Sequence, residues 1–336
     1  METQAKIAVV ILNYNGVHWL QKFLNSVVEK SPEAEVFVID NGSTDNSVPF
    51  LNSNFPNLKL IVNTKNDGFC GGYNFGLNQI CADYYILLNS DVEVSENWIM
   101  PVIEKMEKDK SIAACQPKIK SYHNKNKFEY AGASGGFIDK YGYPFCRGRI
   151  FDNVEVDNGQ YDEEIEIFWA TGACLFIRSS SFFEIGGFDN DFFAHMEEID
   201  LCWRLKNKGY KIMCIPKSHV FHVGGGTLNN SSTFKTYLNY RNNLLMLYKN
   251  LEKNRFRIIF SRLVLDGLSS IKFVLDRKPK HIFAILKAHL HFYSKLKKFR
   301  SKRSKNSQTK LYPTSIVYLY FLKNKKEFNQ LNKLFN

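Results

Sequence analysis

With 336 residues and a mass of 39.0 kDa the chain can hold one large domain or a domain with an appendage, and its 44% hydrophobic and 15% aromatic content excludes wholesale disorder. The formal net charge of +12 is unevenly spread: residues 1–240 hold 22 Lys+Arg against 29 Asp+Glu, a net of −7, while residues 241–336 hold 23 against 4, a net of +19. An acidic body is a poor nucleic-acid binder, whereas the basic C-terminal third suits anionic lipid or nucleic acid.

No run of about 18 uncharged apolar residues occurs, which argues against a membrane-spanning helix. The opening METQAKIAVV enters a strand pattern at once, without the charged, apolar and small-residue regions of a secretory signal. Seven cysteines without a CxxC pair, mostly in apolar stretches, predict reduced core thiols in a cytoplasmic protein. Residues 6–13 (KIAVVILN) predict a strand buried on both faces of a parallel sheet. Helical spacing follows over 19–28, a strand over 35–40 (EVFVID), a short helix over 43–50 and a strand over 58–62. A helix entered through glycines spans 71–80, and a fourth strand spans 84–88. This alternation predicts an α/β fold with a mainly parallel open sheet and helices on both faces. Ligands of such sheets bind beyond the carboxyl ends of the strands. Those ends carry Asn13-Tyr14-Asn15, Asp40-Asn41-Gly42 and Asn89-Ser90-Asp91.

The middle of the chain predicts a helix over 98–108, a strand over 112–120 and a loop-rich stretch over 121–165. A small-residue strand follows over 168–177 (FWATGACLFI), then a helix over 197–208 and short strands over 211–215 and 219–222. From 233 onward the pattern is helical, over 237–251, 256–275 and 282–299. A polar segment at 301–310 separates these from a last predicted helix over 312–335.

Four groups of residues suggest chemistry. Asp91 at a strand end can hold a hard cation that bridges phosphates, although Asn-Ser-Asp also makes a plain turn. Asp40 can receive a ribose hydroxyl or a base N–H, and Asn41-Gly42 is equally a turn dipeptide. Asn66 to Asn74 (NDGFCGGYN) fits neither GxGxxG nor GxxxxGK[ST], yet Gly71 and Gly72 opening a helix could turn backbone amides toward an anion. In the helix beginning EEIDLCWR, Glu198 shares a face with Leu201, Cys202 and Leu205. A carboxylate on that apolar face suggests a general base. Glu197 fits the ordinary role of a first-turn acid, and Asp200 pairs with Arg204 at i+4. His222 follows a short strand, and a structural role is the plain reading for it and for His219.

Taken in order, VVILNYNG at 9–16, VIDNGSTDNS at 38–47, NDGFCGGYNFG at 66–76, LLNSDVEV at 87–94, WATGACLFIRS at 169–179, EEIDLCWR at 197–204 and HVFHVGGG at 219–226 resemble the family 2 glycosyltransferases. YLNYRNNLLML at 237–247 matches the helix that follows. The likeness is to the bacterial rhamnosyl- and galactofuranosyl-transferase subgroup and covers roughly residues 5–250. It implies a glycosyltransferase A catalytic domain over 1–250, with a nucleotide-binding half (1–95) and an acceptor half (96–250); beyond it, the charge and the apolar runs of 251–336 predict a helical, basic, membrane-associating region.

By that resemblance Asn13, Asn15, Asp40, Asn66, Gly71, Gly72, Asn89 and Ser90 bind the nucleotide-sugar. Asp91 and His222 hold Mn²⁺ or Mg²⁺, and Glu198 is the catalytic base. Trp169, Thr171, Gly172, Glu197 and Asp200 line the donor or acceptor pocket. Two departures stand out: Asn89 replaces the first acid of the family's DxD motif, and Glu198 replaces its usual aspartate. The implied reaction is a single inverting displacement from a nucleoside diphosphate sugar onto a hydroxyl of a glycan or lipid-linked acceptor in cell-surface polysaccharide synthesis. Such an acceptor and the basic tail together predict a place on the inner face of the cytoplasmic membrane, with an anionic membrane surface as partner. The basic run has no base-reading motif, so no nucleic acid is expected, and the expected assembly is a monomer or homodimer. The rival readings are a nucleotidyltransferase, whose early basic Gly-rich loop is missing from VVILNYNG, and a non-enzymatic anion- or nucleic-acid-binding module built on the basic tail.

Overall fold

The computed structural model of the protein describes residues 5–224, 232–304 and 309–331. Its first half alternates β1 (Ile7–Asn13), α1 (Val17–Glu29), β2 (Glu35–Asn41), α2 (Ser47–Asn54), β3 (Lys59–Asn63), α3 (Gly68–Leu77) and β4 (Tyr84–Asn89). Then come β5 (Val92–Val94), α4 (Met100–Lys108), β6 (Ile112–Ser121), the short strands β7 (Gly136–Ile138), β8 (Pro144–Cys146), β9 (Arg149–Ile150), β10 (Asn153–Val154) and β11 (Ile165–Glu166), and β12 (Cys174–Arg178). The last part holds α5 (Ser179–Glu184), α6 (Glu197–Asn207), β13 (Lys211–His222), α7 (Thr233–Asn250), α8 (Arg255–Leu275) and α9 (Pro279–Arg300).

Among the described residues one nine-stranded sheet runs β11-β13-β6-β12-β4-β1-β2-β3, with β5 paired to β13. The strands β3, β2, β1 and β4 are parallel; β12 reverses direction, and β6 and β13 return to it. The near-continuous apolar run of β1 has a simple cause. Val9 and Ile11 pack with Leu20, Leu24 and Trp98 on one face, while Ala8 and Val10 pack with Tyr73 and Leu77 on the other. Burial on both faces removes the need for alternation. The second core extends through Trp203, Leu244, Leu245 and Leu247 to Phe292, Phe299 and Tyr312, so α7, α9 and the C-terminal segment share the core of the sheet.

Several elements differ from the sequence reading. The helix expected at 43 begins at Ser47, because Ser43 and Thr44 are drawn back to Asn13 and Asn15. The strand expected over 168–177 begins only at Cys174. Before it, the backbone N–H groups of Phe168 and Trp169 donate to Gly136 O, and Thr171 N–H donates to Gln116 Oε1. The strands expected over 211–215 and 219–222 are one strand, β13, with a register shift between Ile215 and His219 at Pro216, which has no N–H for the ladder. The stretch 121–165 contains a four-stranded antiparallel sheet, β10-β9-β8-β7.

The helix expected over 312–335 is replaced, within the described residues, by short turns at Tyr318–Leu322 and Phe328–Gln330. Tyr312 N–H joins Ile138 O, Ile316 N–H is taken by buried Asp139, and Phe328 packs on Phe137 and Phe145. Tertiary pairing therefore overrides the helical pattern. Gly225 and Gly226 of HVFHVGGG, residues 305–308 of the polar segment, and residues 1–4 and 332–336 lie outside the described residues.

Candidate active site

The carboxyl ends of β1 and β2 are tied together by side chains. Asn13 Nδ2 donates to Asp40 Oδ1 at 3.0 Å and to Ser43 Oγ at 3.2 Å, and Asp40 Oδ2 accepts the Ser43 backbone N–H at 3.0 Å. Asn15, in the left-handed region at φ 49°, accepts the Thr44 N–H at 2.7 Å. Asn13 Oδ1 is buried with no hydrogen-bond partner. A Cβ on Gly16 would stand 2.6 Å from that oxygen and 3.7 Å from Ser90 Oγ, so Asn13, Gly16 and Ser90 crowd one spot that only glycine leaves open. A buried acceptor left unsatisfied at the ligand end of a parallel sheet is a natural place for a donor's hydroxyl or N–H.

Strand pairing builds the second cluster. In the β5/β13 ladder Val92 stands opposite His222, and Val223 N–H donates to Asp91 O at 3.0 Å. This brings His222 Nε2 to 3.2 Å from Asp91 Oδ1, with Asn89 Nδ2 3.5 Å away. On the ring's other side, Nδ1 lies 3.1 Å from Glu129 Oε2. All three charged groups are buried. Burial alone would lower the His222 pKa, but the flanking Asp91 and Glu129 carboxylates push it up to about 10. One carboxylate oxygen beside one imidazole nitrogen is a donor pair suited to Mn²⁺, and to Mg²⁺ through the carboxylate. Asp91 and His222 fit a divalent cation, and Glu129 is placed to orient the imidazole. Among the described residues no three His, Cys, Asp or Glu side chains form a ready metal cage.

The third cluster is the N-terminus of α6. Phe193, His195 and Met196 lead into it with φ of 68°, 68° and 71°, three left-handed residues other than glycine. Asn242 of α7 braces this approach: its Nδ2 faces the carbonyls of Phe192, Ala194 and His195 at 2.9, 2.8 and 2.7 Å. From α3, Cys70 N–H donates to Phe193 O at 3.2 Å. Glu198 is partly exposed, but its Oε2 is buried without a hydrogen-bond partner, and burial pushes its pKa up to about 7. Glu197, read as a first-turn acid and a pocket residue, is buried, and desolvation with the neighbouring Glu198 charge drives its carboxyl well above the usual range.

Other expected site residues have structural duties. Gly71 and Gly72 lie inside α3, which begins at Gly68. The Gly68 N–H is taken by Asn66 Oδ1 at 2.9 Å and the Cys70 N–H by Phe193 O, so the helix start does not turn those two amides to an anion. Gly72 serves close packing, since a Cβ there would stand 2.7 Å from Leu12 and 2.9 Å from Asn41. Asn66 Oδ1 also accepts from Asn41 Nδ2 at 3.1 Å. Trp169 is buried with its Nε1–H on Phe137 O at 2.9 Å, and Thr171 is buried with its Oγ1 accepting the Ala173 N–H. A Cβ on Gly172 would stand 3.1 Å from the Phe69 ring. Asp200 braces the fold: it accepts from Arg204 Nε at 2.8 Å, Lys249 Nζ at 2.9 Å and Asn250 Nδ2 at 2.8 Å. Burial would raise its pKa, but Lys249, Arg204 and Asn250 hold it down at about 2.

Two residues of the site escaped the sequence reading. Glu129 sits in an irregular loop with no periodicity to mark it. Asn242 was visible only as part of YLNYRNNLLML, with nothing to say what it holds.

Residues 8–172 match the model of the family described as glycosyl transferase family 2. The N-acetylglucosaminyl-diphospho-decaprenol L-rhamnosyltransferase of Mycobacterium tuberculosis is 25% identical over 232 residues, 64% of this chain and 75% of the relative. Rhamnosyltransferase WbbL of Escherichia coli is 21% identical over 233 residues, 64% of this chain and 83% of the relative. The crystal structure of GalNAc-T7 with UDP, GalNAc and Mn²⁺ superposes with a TM-score of 0.57 at 20% identity, over 74% of this chain and 48% of that one, so the chain spans about half of that structure. The fold is that of the glycosyltransferase A enzymes.

Proposed function

We propose that the protein, whose residues 8–172 match the family 2 glycosyltransferase model, moves a rhamnose-like or other hexose from a nucleoside diphosphate sugar to an acceptor hydroxyl, with inversion at the anomeric carbon. The observation that carries this reading is Glu198, whose buried, partnerless carboxylate oxygen and pKa of about 7 are those of a general base tuned for neutral pH.

Asp40, held by Asn13 and Ser43, receives the nucleoside, and the orphaned Asn13 Oδ1 accepts from the same ligand. Asp91 and His222 would hold a divalent cation, with Asn89 and Ser90 beside them. When bound, that cation neutralises charge on the departing diphosphate. Glu198 takes the acceptor's proton as the hydroxyl oxygen attacks the anomeric carbon and the sugar–phosphate bond breaks on the opposite side. One base and one displacement produce inversion; a double displacement would need a nucleophilic carboxylate as well. Support for a lipid-linked acceptor comes from the mycobacterial relative, whose name specifies a decaprenyl diphosphate sugar. Such an acceptor would place the enzyme on the cytoplasmic face of the membrane.

The test is a screen of nucleoside diphosphate sugars with Mn²⁺ by thermal shift, since a bound donor raises the melting temperature by mass action. The product's anomeric configuration is then read by NMR. An inverted linkage is expected, and a retained one, or no stabilising nucleotide-sugar, overturns the reading.

A further inference from the structure

Helix α8 is built inside out. It turns Arg255, Ile259, Arg262 and Asp266 toward the protein, with Arg262 Nε donating to Asp266 Oδ1 at 2.6 Å and its guanidinium 3.8 Å from the centre of the Tyr143 ring. The opposite face carries Phe256, Phe260, Val264, Leu268, Ile271 and Leu275, which are 78, 68, 50, 56, 56 and 77% exposed. These positions recur at steps of three and four and form one stripe, roughly 30 Å long at 1.5 Å per residue. A helix resting on a soluble body normally shows the reverse arrangement.

The exposed surface continues beyond α8. On α9 Phe283, Leu286, Leu290 and Tyr293 are also exposed. Lys272 of α8 reaches Asp152 at 3.3 Å, and the adjoining Phe151 packs on Tyr320 and Phe321. That contact sets exposed Phe321 and Leu322 on the same flank. Contiguous apolar surface on this scale marks an interaction site.

Charge selects the occupant. Arg257, Arg277, Lys278, Lys280, Lys297 and Arg300 are exposed on these helices and their connection, and none forms an ion pair among the described residues. A second copy of the chain would bring this set against itself, and like charges across an interface oppose association. An anionic bilayer neutralises it while taking up the stripe. No helix among the described residues is long and apolar enough to cross a membrane, so the fitting mode is to lie in the interface. We propose that the outer face of α8 and α9 docks the protein on an anionic lipid bilayer, with the Phe256–Leu275 stripe at the acyl boundary and the surrounding Lys and Arg at the headgroups. This docking rests on the helix face alone and not on the transfer chemistry.

The experiment is co-sedimentation of the full chain with vesicles of phosphatidylcholine, pure or mixed with phosphatidylglycerol, at low and high salt. Binding is expected to the mixed vesicles and to weaken with salt. Because the stripe is exposed, the combined variant Phe256→Ser, Phe260→Ser, Leu268→Ser keeps the fold, which circular dichroism checks. Its vesicle affinity is expected to fall on the order of 10²-fold. Lys278→Glu with Lys280→Glu should cost at least about fivefold per charge. Donor binding serves as the independent control and should not change in either variant. Equal sedimentation of wild type and the serine variant overturns the proposal, as does the absence of salt dependence. A dimer seen by analytical ultracentrifugation that the serine variant abolishes, without vesicle binding by the wild type, would overturn it in favour of a second copy.

Discussion

Two adjacent glutamates open α6, and their surroundings assign them different work. Burial raises both carboxyls: Glu197, with the neighbouring Glu198 charge added, is driven well above the usual range, and Glu198 is raised to about 7. A carboxyl at about 7 can gain and lose a proton with the reaction at neutral pH. Glu198→Gln is expected to lower kcat on the order of 10²–10⁴-fold and leave donor affinity, measured by calorimetry, unchanged. In the wild type kcat should rise with pH through about 7 and level off above it. Glu197→Gln keeps the shape at that position and should leave the limb in place; loss of the limb in this variant would move the base to Glu197.

Glu129 makes a second expectation at this scale. A proton on His222 Nδ1 faces Glu129 Oε2 at 3.1 Å, so a cation binding beside Asp91 would displace the proton from Nε2 and leave the tautomer a metal ligand needs. Glu129→Gln keeps the shape and removes the charge, so Mn²⁺ affinity should fall about 10- to 100-fold by electron paramagnetic resonance of the free ion. His222→Ala should cost at least as much. Unchanged Mn²⁺ affinity in both variants would take the metal away from this cluster.

Among the elements, the approach to α6 is held from two separate helices, α3 and α7. Its three left-handed residues cost of order 1 kcal/mol each and persist because α3 and α7 clamp them. Asn242→Ala removes the amide facing three buried carbonyls. The variant is expected to lose about 1–3 kcal/mol of stability. It should also lose kcat about tenfold or more through misplacement of Glu198. Hydrogen exchange over 188–196 should speed up while β1 and β4 stay protected; protection lost everywhere would mean that Asn242 supports the whole fold.

This clamp also shows where sequence reading stops. The apolar runs of β1, β2 and β4 announce a parallel sheet, and its carboxyl ends point to Asn13, Asp40 and Asp91. The contact between Asp91 and His222 depends on β5 pairing with β13 across some 130 positions, which no local pattern encodes. The strand expected at 168 failed for a related reason: FWATGA has strand-like composition, but its backbone groups were claimed by Gly136 and Gln116. Residues 312–331 look helical in isolation and lie down on β7 and β8 because Asp139 and Ile138 take their backbone N–H groups.

At the scale of the molecule, the acidic body and the basic C-terminal third meet face to face. Asp189 and Asp191 sit in the loop before α6 and Asp200 within that helix; Lys249, Lys295, Lys298 and Lys302 come from α7, α9 and the turn after it. With Phe292 and Phe299 in the shared core, the last third cannot be removed as an independent tail, and cutting at 254 would strip buried side chains from the sheet. The ion cluster gives this junction a pH signature. Asp189, Asp191 and Asp200 are all held below the ordinary 3.8 by the lysines despite their burial, Asp200 at about 2. A depressed carboxyl stabilises the folded state above its unfolded value and loses that contribution as pH falls toward its folded value. For Asp200 the contribution is roughly 2 kcal/mol. Removing the carboxylate with Asp200→Asn also leaves Lys249 and Arg204 short of a counter-charge, so the deficit at neutral pH should be at least that large. Urea unfolding of wild type and Asp200→Asn is therefore expected to show a constant gap above pH 3.8 that narrows as the pH approaches about 2. A gap independent of pH would mean that Asp200 works by shape alone, and the junction would then be held by the apolar core without help from its charges.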